Sequence, residues 1–158
     1  MLFRSLINNA VKINAVTERD AYIPPSADEF SERFAGRQIY SYFDLFSGYD
    51  QIPLHTSSRD ITAFQTPIGL VRQCTLPQGA TNSVAVFIRT IMKILGDHFP
   101  EAAPFLDDIA VAGPQSDYDQ EEALDGVRRY VLEHAVKVDK VLQDISRAEA
   151  TVSAKKSY

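Results

Sequence analysis

Residues 103–112, APFLDDIAVA, consist of two short apolar segments on either side of the acidic pair Asp107-Asp108. Such segments joined by polar residues are typical of a β-hairpin, so the sequence predicts a hairpin with the acidic pair at its turn. Residues 38–46, QIYSYFDLF, are aromatic and apolar, which predicts a largely buried strand with Asp44 near its end. A buried carboxylate without a partner is costly, so all three acids need a cation, hydrogen-bond donors or water.

The segments around these strands carry helix signals. Ser26 and Glu29 have the spacing of a capping box at the start of a helix. Apolar residues recur at helical spacing over residues 84–95 and again over residues 120–147. His134 lies in the second apolar stripe and is predicted to pack in the core or at its rim rather than to bind a ligand.

The remaining signals complete an alternating order of helices and strands. Residues 61–66 and 70–75 predict a hairpin, and residues 150–153 predict a last strand. The acidic residues between 117 and 125 are expected at the solvated start of the last helix, where negative charge suits the helix dipole. This order, without the glycine-rich phosphate loop of nucleotide-binding folds, favours an α+β fold in which an antiparallel sheet packs on helices.

The composition narrows the class of protein. The 158 residues, of which 45% are hydrophobic and 23% charged, suit one domain with its own core. The single cysteine, Cys74, excludes a disulfide framework and a multi-cysteine zinc site, and suggests a reducing compartment. The net charge of -5 argues against strong autonomous binding to a nucleic-acid backbone. No apolar run approaches the ~20 residues of a membrane-spanning helix.

The three aspartates allow two interpretations. An acidic pair is common in a hairpin turn, and an aspartate can simply end a strand. Alternatively, adjacent central strands bring the three carboxylates together, where they would repel one another unless they shared divalent cations. Two Mg²⁺ ions held roughly 3.5–4 Å apart by carboxylates are the apparatus of in-line phosphoryl transfer. The local pattern alone leaves both interpretations open.

Four motifs in chain order point to a known family. They are DLFSGYDQIPL (44–54), TAFQTPIGL (62–70), LPQGATNSVAVF (76–87) and FLDD (105–108). In this order and spacing they resemble the reverse transcriptases of long-terminal-repeat retrotransposons, with most likeness to the gypsy class in its fungal forms. The flanking stretches 13–25 and 128–157 resemble the same family. The resemblance implies a polymerase palm with a remnant of the fingers and no thumb, in which residues 1–37 form the fingers-to-palm segment and residues 38–158 the palm.

The resemblance also assigns the chemistry to particular residues. Asp44, Asp107 and Asp108 match the metal-binding aspartates of the family, which hold two Mg²⁺ ions, with Mn²⁺ as an alternative. Phe105 matches the aromatic position of the catalytic hairpin motif, and Leu106 matches the position beside the primer end. These five residues would therefore form the catalytic centre and its contact with the primer.

A second set of residues matches positions that contact the incoming nucleotide. Ser47 and Gly48 fall where backbone N–H groups receive the triphosphate, and Gly48 lets the backbone approach closely. Tyr49 matches the steric gate, whose ring would clash with a ribose 2′-OH and so select deoxynucleotides. The other positions implied to contact the nucleotide are Gln78, Gly79 and Lys156.

The resemblance therefore implies an RNA-directed DNA polymerase domain of a retrotransposon polyprotein, which adds dNTPs to a primer paired with an RNA or DNA template. It implies an intracellular, cytoplasmic location in virus-like particles and no membrane partner. The thumb, connection and RNase H regions of the polyprotein are expected partners, since the chain ends before them and lacks most of the fingers.

The N-terminal stretch departs from the family pattern. Asn9, Ala10 and Val11 stand where the family has D-Y-R, and Arg4 is out of register as a replacement for that arginine. This departure leaves open a decayed fragment without activity. Two other classes are a non-catalytic nucleic-acid-binding module, which the acidic charge disfavours, and a different two-metal enzyme such as a nucleotide cyclase, whose glycine-rich hairpin signature is not found in the sequence.

Overall fold

Helices and strands alternate along the chain in the computed structural model, which describes residues 9–22 and 26–158. This confirms the α+β class. The helices are α1 (Val11–Val16), α2 (Ala27–Phe34), α3 (Thr56–Arg59), α4 (Ser83–Leu95) and α5 (Arg129–Arg147). The strands are β1 (Tyr40–Asp44), β2 (Phe64–Thr66), β3 (Gly69–Val71), β4 (Ala102–Phe105), β5 (Asp108–Ala112), β6 (Glu122–Leu124) and β7 (Val127–Arg128).

The described residues fall into two units that interleave along the chain. One unit takes in residues 9–22 and 47–87, and the other takes in residues 26–46 and 88–158. This division does not follow the predicted boundary at residue 37, because α2 packs with strands that come much later in the chain. The functional subdivision at that boundary stays a prediction.

The second unit is built on a three-stranded antiparallel sheet with the order β1-β5-β4. In β1, Tyr40 lies opposite Ala112 of β5 and Asp44 lies opposite Asp108. The β4–β5 pair closes at Phe105 opposite Asp108, so the predicted hairpin is confirmed. The strand predicted over residues 38–46 is present as β1, but it is not largely buried as predicted, since Phe43 is its one buried residue and Tyr40 is exposed. The two residues of the turn are Leu106 and Asp107, while Asp108 is already the first residue of β5.

The core of this unit forms where α2 packs on the sheet. The predicted capping box is confirmed, since the Glu29 backbone N–H donates to the Ser26 hydroxyl and the Ser26 N–H donates to the Glu29 carboxylate. One turn later, Phe30 and Phe34 are both buried, with ring centroids 4.7 Å apart. The Phe30 ring also lies 4.6 Å from the Phe105 ring, so α2 supports the strand that enters the turn.

The last helix begins later than the sequence predicts. It starts at Arg129 rather than near residue 120, and the segment before it forms a 3₁₀ turn, Tyr118–Gln120, and the β6–β7 hairpin. The expectation that the acidic residues 117–125 begin this helix is therefore wrong. The reason is the Asp125-Gly126 sequence, which is a strong turn signal, and Gly126 adopts a left-handed φ of 70°.

Polar contacts hold the base of the β6–β7 hairpin on α5. The Arg129 guanidinium lies over the Tyr118 ring, 4.2 Å from its centroid. It also donates to Glu121 at 3.0 Å and to Glu133 at 3.1 Å. The Tyr118 hydroxyl donates to the other Glu133 oxygen at 2.8 Å. Arg129 and Tyr118 therefore bind the segment before α5 to the first turns of that helix.

His134 packs inside the second unit, as predicted. It is 4% exposed, and its Nε2 lies 2.9 Å from the Ser41 hydroxyl of β1. Its Nδ1 is buried and has no hydrogen-bond partner among residues 9–22 and 26–158. Gly113 is required beside it, because a Cβ there would lie 2.5 Å from Ile39 Cγ2 and 3.2 Å from the histidine Nδ1.

We expect the free energy of unfolding to decline as the pH falls from about 7.5 to about 5.5. Burial, and then the charge of Lys137, lowers the pKa of His134 below its ordinary value of about 6.5. Between the lowered and the ordinary pKa the unfolded chain binds a proton that the folded chain does not, so stability is lost as the pH falls through the ordinary value. Denaturant titrations at several pH values measure this decline. His134→Gln, which does not titrate, should show a smaller one, and equal declines would contradict the prediction.

The last residues cover the free edge of β1. The Ser153 N–H donates to the Asp44 carbonyl at 2.7 Å, and Tyr42 and Tyr158 exchange two backbone hydrogen bonds. The strand predicted at residues 150–153 is reduced to a single bridge, between Leu45 and Val152. An edge strand with unpaired backbone groups invites pairing with other chains, and these bonds reduce that exposure.

The first unit carries the other predicted hairpin. Strands β2 and β3 pair from Phe64 opposite Val71 to Thr66 opposite Gly69. The pairing is shorter than the predicted stretches 61–66 and 70–75, because Asp60–Thr62 form a 3₁₀ turn instead. In neither stretch of the chain that the structure describes is any helix both long and apolar enough to cross a bilayer.

Candidate active site

Two of the predicted metal-binding aspartates lie opposite each other at one end of the sheet. Asp44 is the last residue of β1, and Asp108 is the first residue of β5 and its direct partner in the register. Directly opposite residues of an antiparallel pair present their side chains on the same face. Asp107 precedes Asp108 in the turn, after Leu106, whose φ of 55° is unusual for a residue with a side chain.

The charges around these aspartates favour a cation. Burial raises the pKa of Asp108, and the negative charges of Asp107 and Asp44 raise it further. The Lys156 ammonium acts in the opposite direction and lies 3.1 Å from the Asp44 Oδ2. Carboxylate oxygens that repel one another are suitable ligands for Mg²⁺ or Mn²⁺, so the chemistry of the donor set fits a divalent metal.

The three aspartate side chains do not converge to enclose a metal ion. Within residues 9–22 and 26–158, no three acidic, histidine or cysteine side chains converge closely enough to enclose a metal ion. The structure therefore brings Asp44 and Asp108 together in register and places Asp107 beside them in sequence. The assignment of all three to metal binding stays a prediction.

The residues predicted to contact the primer lie at the same turn, Phe105 just before it and Leu106 as its first residue. Phe105 packs against the core through the Phe30 ring. Leu106 is 47% exposed, because its left-handed backbone directs the chain through the two-residue turn. An anchored aromatic residue followed by an exposed apolar one leaves Leu106 free to contact another molecule.

In the first unit, the predicted gate residue is held by an aromatic contact. Tyr49 lies in a 3₁₀ turn, Gly48–Gln51, and its ring stacks on Phe87 with centroids 4.8 Å apart and planes 19° from parallel. Phe87 is 1% exposed, so the partner ring is fixed. Ser47 adopts a left-handed φ of 49° just before the buried Gly48, which reverses the chain where the triphosphate contact is predicted.

Two asparagines that sequence reasoning missed hold the turn that carries Gln78 and Gly79. The Asn14 side chain donates to the Gly79 carbonyl at 2.9 Å and accepts from the Thr81 N–H at 2.8 Å. Asn82, just after this turn, binds the segment that follows α1: its side chain accepts from the Asp20 N–H and donates to the Glu18 carbonyl. The available signal was Asn14 itself, a polar side chain between apolar neighbours in the stretch 13–17, INAVT.

Gln78 also lines a cavity in the first unit. The cavity has a volume of about 500 Å³, and α1 supplies Ile13 and Val16 to its wall. Asn9, at the D-Y-R position of the family, accepts a hydrogen bond from the N–H of Val11, the first residue of α1, at 3.1 Å. The candidate Arg4 lies outside the described residues.

Asn14→Ala is expected to lower the free energy of unfolding by about 1–2 kcal/mol, because it removes two hydrogen bonds, one to the Gly79 carbonyl and one from the Thr81 N–H. Thermal and denaturant unfolding measure the loss. Asn9→Ala is the matched control, since Asn9 makes one exposed hydrogen bond only two residues away and its loss should cost less, about 0.5 kcal/mol. Equal losses in the two variants would show that the Asn14 hydrogen bonds do not stabilise the turn that carries Gln78 and Gly79.

The sequence profile described as "Reverse transcriptase (RNA-dependent DNA polymerase)" matches residues 4–158. The chain belongs to the reverse transcriptase family. The match covers every motif from DLFSGYDQIPL to FLDD, so the reverse transcriptase resemblance of the sequence is confirmed at the level of the family.

Named relatives place this reverse transcriptase domain among polyproteins. It is 32% identical over 108 residues to the enzymatic polyprotein of Cauliflower mosaic virus (strain D/H), covering 68% of the chain and 16% of that protein. It is 30% identical over 148 residues to the retrovirus-related Pol polyprotein from transposon opus of Drosophila melanogaster, covering 93% of the chain and 13% of that protein. The chain thus spans about one-sixth or less of these relatives.

A solved structure shares the fold. The crystal structure of native prototype foamy virus protease–reverse transcriptase superposes with a TM-score of 0.76 at 23% identity, over 94% of this chain and 18% of that one. The foamy viral protein in complex with an RNA/DNA hybrid gives the same TM-score. The chain therefore has the fold of the part of the foamy viral reverse transcriptase that it matches.

Proposed function

We propose that the chain is the catalytic palm of an RNA-directed DNA polymerase from a gypsy-class retrotransposon polyprotein. The observation that carries the proposal is Asp44 opposite Asp108, with Asp107 in the adjoining turn, in a chain of the reverse transcriptase family. The relative from transposon opus supports a retroelement source. The reaction is the addition of dNTPs to the 3′ end of a primer paired with a template.

The aspartates hold the divalent metals in this proposal. Asp44, Asp107 and Asp108 would hold two Mg²⁺ ions, or Mn²⁺, and the metals would supply charge neutralisation where the primer 3′-OH attacks the α-phosphate and pyrophosphate departs. Phe105 fixes the turn on the core, and Leu106 lies against the primer end. The side chains need to donate or accept few protons, since positioning and charge carry most of such a reaction.

The first unit positions the nucleotide. Backbone N–H groups at Ser47 and Gly48 receive the triphosphate, and the Tyr49 ring excludes a ribose 2′-OH. Gln78 and Gly79 contact the nucleotide and support the template, on a turn that Asn14 holds in place. Lys156, which belongs to the second unit, adds a positive charge for the triphosphate. Discrimination against ribonucleotides is thus steric.

The partners are a primer, an RNA or DNA template, and the thumb, connection and RNase H regions of the polyprotein. The foamy viral relative of known structure forms a complex with an RNA/DNA hybrid, which supports a template–primer duplex as the partner. A net charge of -5 gives this segment few phosphate contacts of its own, so other regions must supply them. The proposed location is the cytoplasm, within virus-like particles.

Primer extension tests the proposal. The chain joined to the downstream regions of its polyprotein should extend a DNA primer on an RNA template with dNTPs and Mg²⁺. The 158-residue chain alone should give no processive synthesis, since positioning can contribute roughly 7–11 kcal/mol to such reactions and the duplex-holding regions are missing. A joined chain that never incorporates the templated nucleotide would overturn the proposal.

The second candidate is a decayed element fragment without activity. The observation that favours it is Asn9, Ala10 and Val11 in place of D-Y-R. Restoring Asp, Tyr and Arg at these three positions in the joined chain separates the two. Activity that appears only after restoration would favour decay, whereas activity of the unaltered sequence would exclude it.

A further inference from the structure

Lys156 makes a direct ion pair with one of the proposed metal ligands. Its Nζ lies 3.1 Å from the Asp44 Oδ2. The Asp44 side chain is 19% exposed and the Lys156 side chain is 69% exposed, so the ammonium reaches a sheltered carboxylate from the solvent side. A carboxylate oxygen that accepts from an ammonium has less capacity left for a metal ion.

The backbone fixes Lys156 in this position. The Ser153 N–H donates to the Asp44 carbonyl at 2.7 Å, and the Lys156 N–H donates to the Ser153 carbonyl at 3.1 Å. The Ser157 hydroxyl donates to the same Ser153 carbonyl at 2.9 Å. Lys156 therefore lies in a turn whose backbone is hydrogen-bonded to Asp44, so the fold itself holds the two side chains together.

The charge of Lys156 reaches beyond Asp44. It opposes the negative charges of Asp107 and Asp44 at the Asp108 carboxyl. The ammonium thus offsets negative charge at both Asp44 and Asp108, which is also what a bound divalent cation would do.

We propose that Lys156 is a built-in counter-ion of Asp44 that competes with divalent cations and sets how tightly the site binds them. The inference rests on the proposed function, because it takes the three aspartates as the metal site. Two consequences of opposite sign follow. Removing the ammonium should strengthen metal binding, because Asp44 becomes fully available, and should weaken the fold without metal, because the carboxylates lose their counter-charge.

Mn²⁺ binding to the full 158-residue chain, followed by isothermal titration calorimetry and by the electron paramagnetic resonance signal of free Mn²⁺, tests the inference. Lys156→Ala should bind Mn²⁺ about two- to fivefold more tightly, as expected for the loss of one partly exposed charge pair. Lys156→Arg keeps the charge and should stay near the wild-type affinity. Lys155→Ala is the matched control, since it removes the same charge from the exposed neighbouring residue. Thermal melts without metal should show a lower midpoint for Lys156→Ala than for Lys155→Ala.

The outcomes separate this inference from the proposed function. If wild-type binding depends on Asp107 and Asp108 but Lys156→Ala binds no more tightly than wild type, the counter-ion role is overturned and the metal site stands. If Lys155→Ala tightens Mn²⁺ binding equally, the effect comes from the net charge of the chain, and the counter-ion role of Lys156 is again overturned. If no variant shows binding that depends on the aspartates, both the metal site and the inference fail.

Discussion

Asparagine at both Asp107 and Asp108 is expected to lower templated DNA synthesis by about a thousandfold or more. The amide side chains keep nearly the shape of the carboxylates but lose the negative charge that holds divalent cations. Metal ions at such sites stabilise transition-state charge by several kcal/mol, and each ~1.4 kcal/mol corresponds to a tenfold change in rate. Single-nucleotide primer extension by the chain joined to its downstream regions, with Mg²⁺ in excess, measures the loss.

The folded state should not suffer from this change. Burial and the neighbouring acids raise the pKa of Asp108, so the ionised form is already disfavoured there and a neutral amide relieves repulsion. Thermal unfolding of the double variant should therefore match or exceed that of wild type. Asp125→Asn is the control: it removes an acid in the β6–β7 turn, outside the β1-β5-β4 sheet, and should leave synthesis unchanged. Retention of synthesis by the Asp107→Asn, Asp108→Asn variant would remove these residues from catalysis.

Tyr49→Val is expected to raise ribonucleotide incorporation relative to deoxynucleotide incorporation by about ten- to a hundredfold, the range over which a change in pocket shape discriminates substrates. The ring is stacked on Phe87, which is buried, so it cannot easily move aside for a 2′-OH. Removing the ring opens that space. Primer extension with single rNTPs and dNTPs gives the ratio of kcat/KM values.

Tyr49→Phe is the matched control for the gate. It keeps the ring and its stacking on Phe87 and loses only the hydroxyl, so steric exclusion should persist. A rise in ribonucleotide use with Phe equal to that with Val would show that the hydroxyl, not the ring, discriminates. An unchanged ratio in both variants would show that Tyr49 is not the gate.

The sequence predicted the elements whose signals are local. The capping box at Ser26 and Glu29, the β4–β5 hairpin and the strand that ends at Asp44 depend on residues close together in the chain. The start of α5 was predicted wrongly because Leu124 and Val127 satisfy helical spacing by chance. They pair across a turn at Gly126, where local turn chemistry outweighs periodicity.

The candidate site could be predicted only in part, because some of its contacts join residues far apart in the chain. The order of the motifs identifies the family, and the strand register then brings Asp44 opposite Asp108. The Lys156–Asp44 ion pair and the Asn14 contact with Gly79 join residues 112 and 65 positions apart. No local propensity encodes such contacts, since they depend on tertiary packing. The metal-binding and nucleotide-binding roles stay predictions that the experiments above address.

The β6–β7 hairpin offers a place to attach a reporter. Its tip, Asp125-Gly126, is exposed, while its base is fixed to α5 by the contacts of Arg129 with Tyr118 and Glu133. Exposed tips whose ends are held tolerate inserted peptides, because the added chain costs little entropy and disturbs no packing. A short epitope or a single fluorophore-bearing residue at this tip would let the domain be followed by fluorescence and captured on a surface, with the sheet end that carries Asp44 and Asp108 left unmodified.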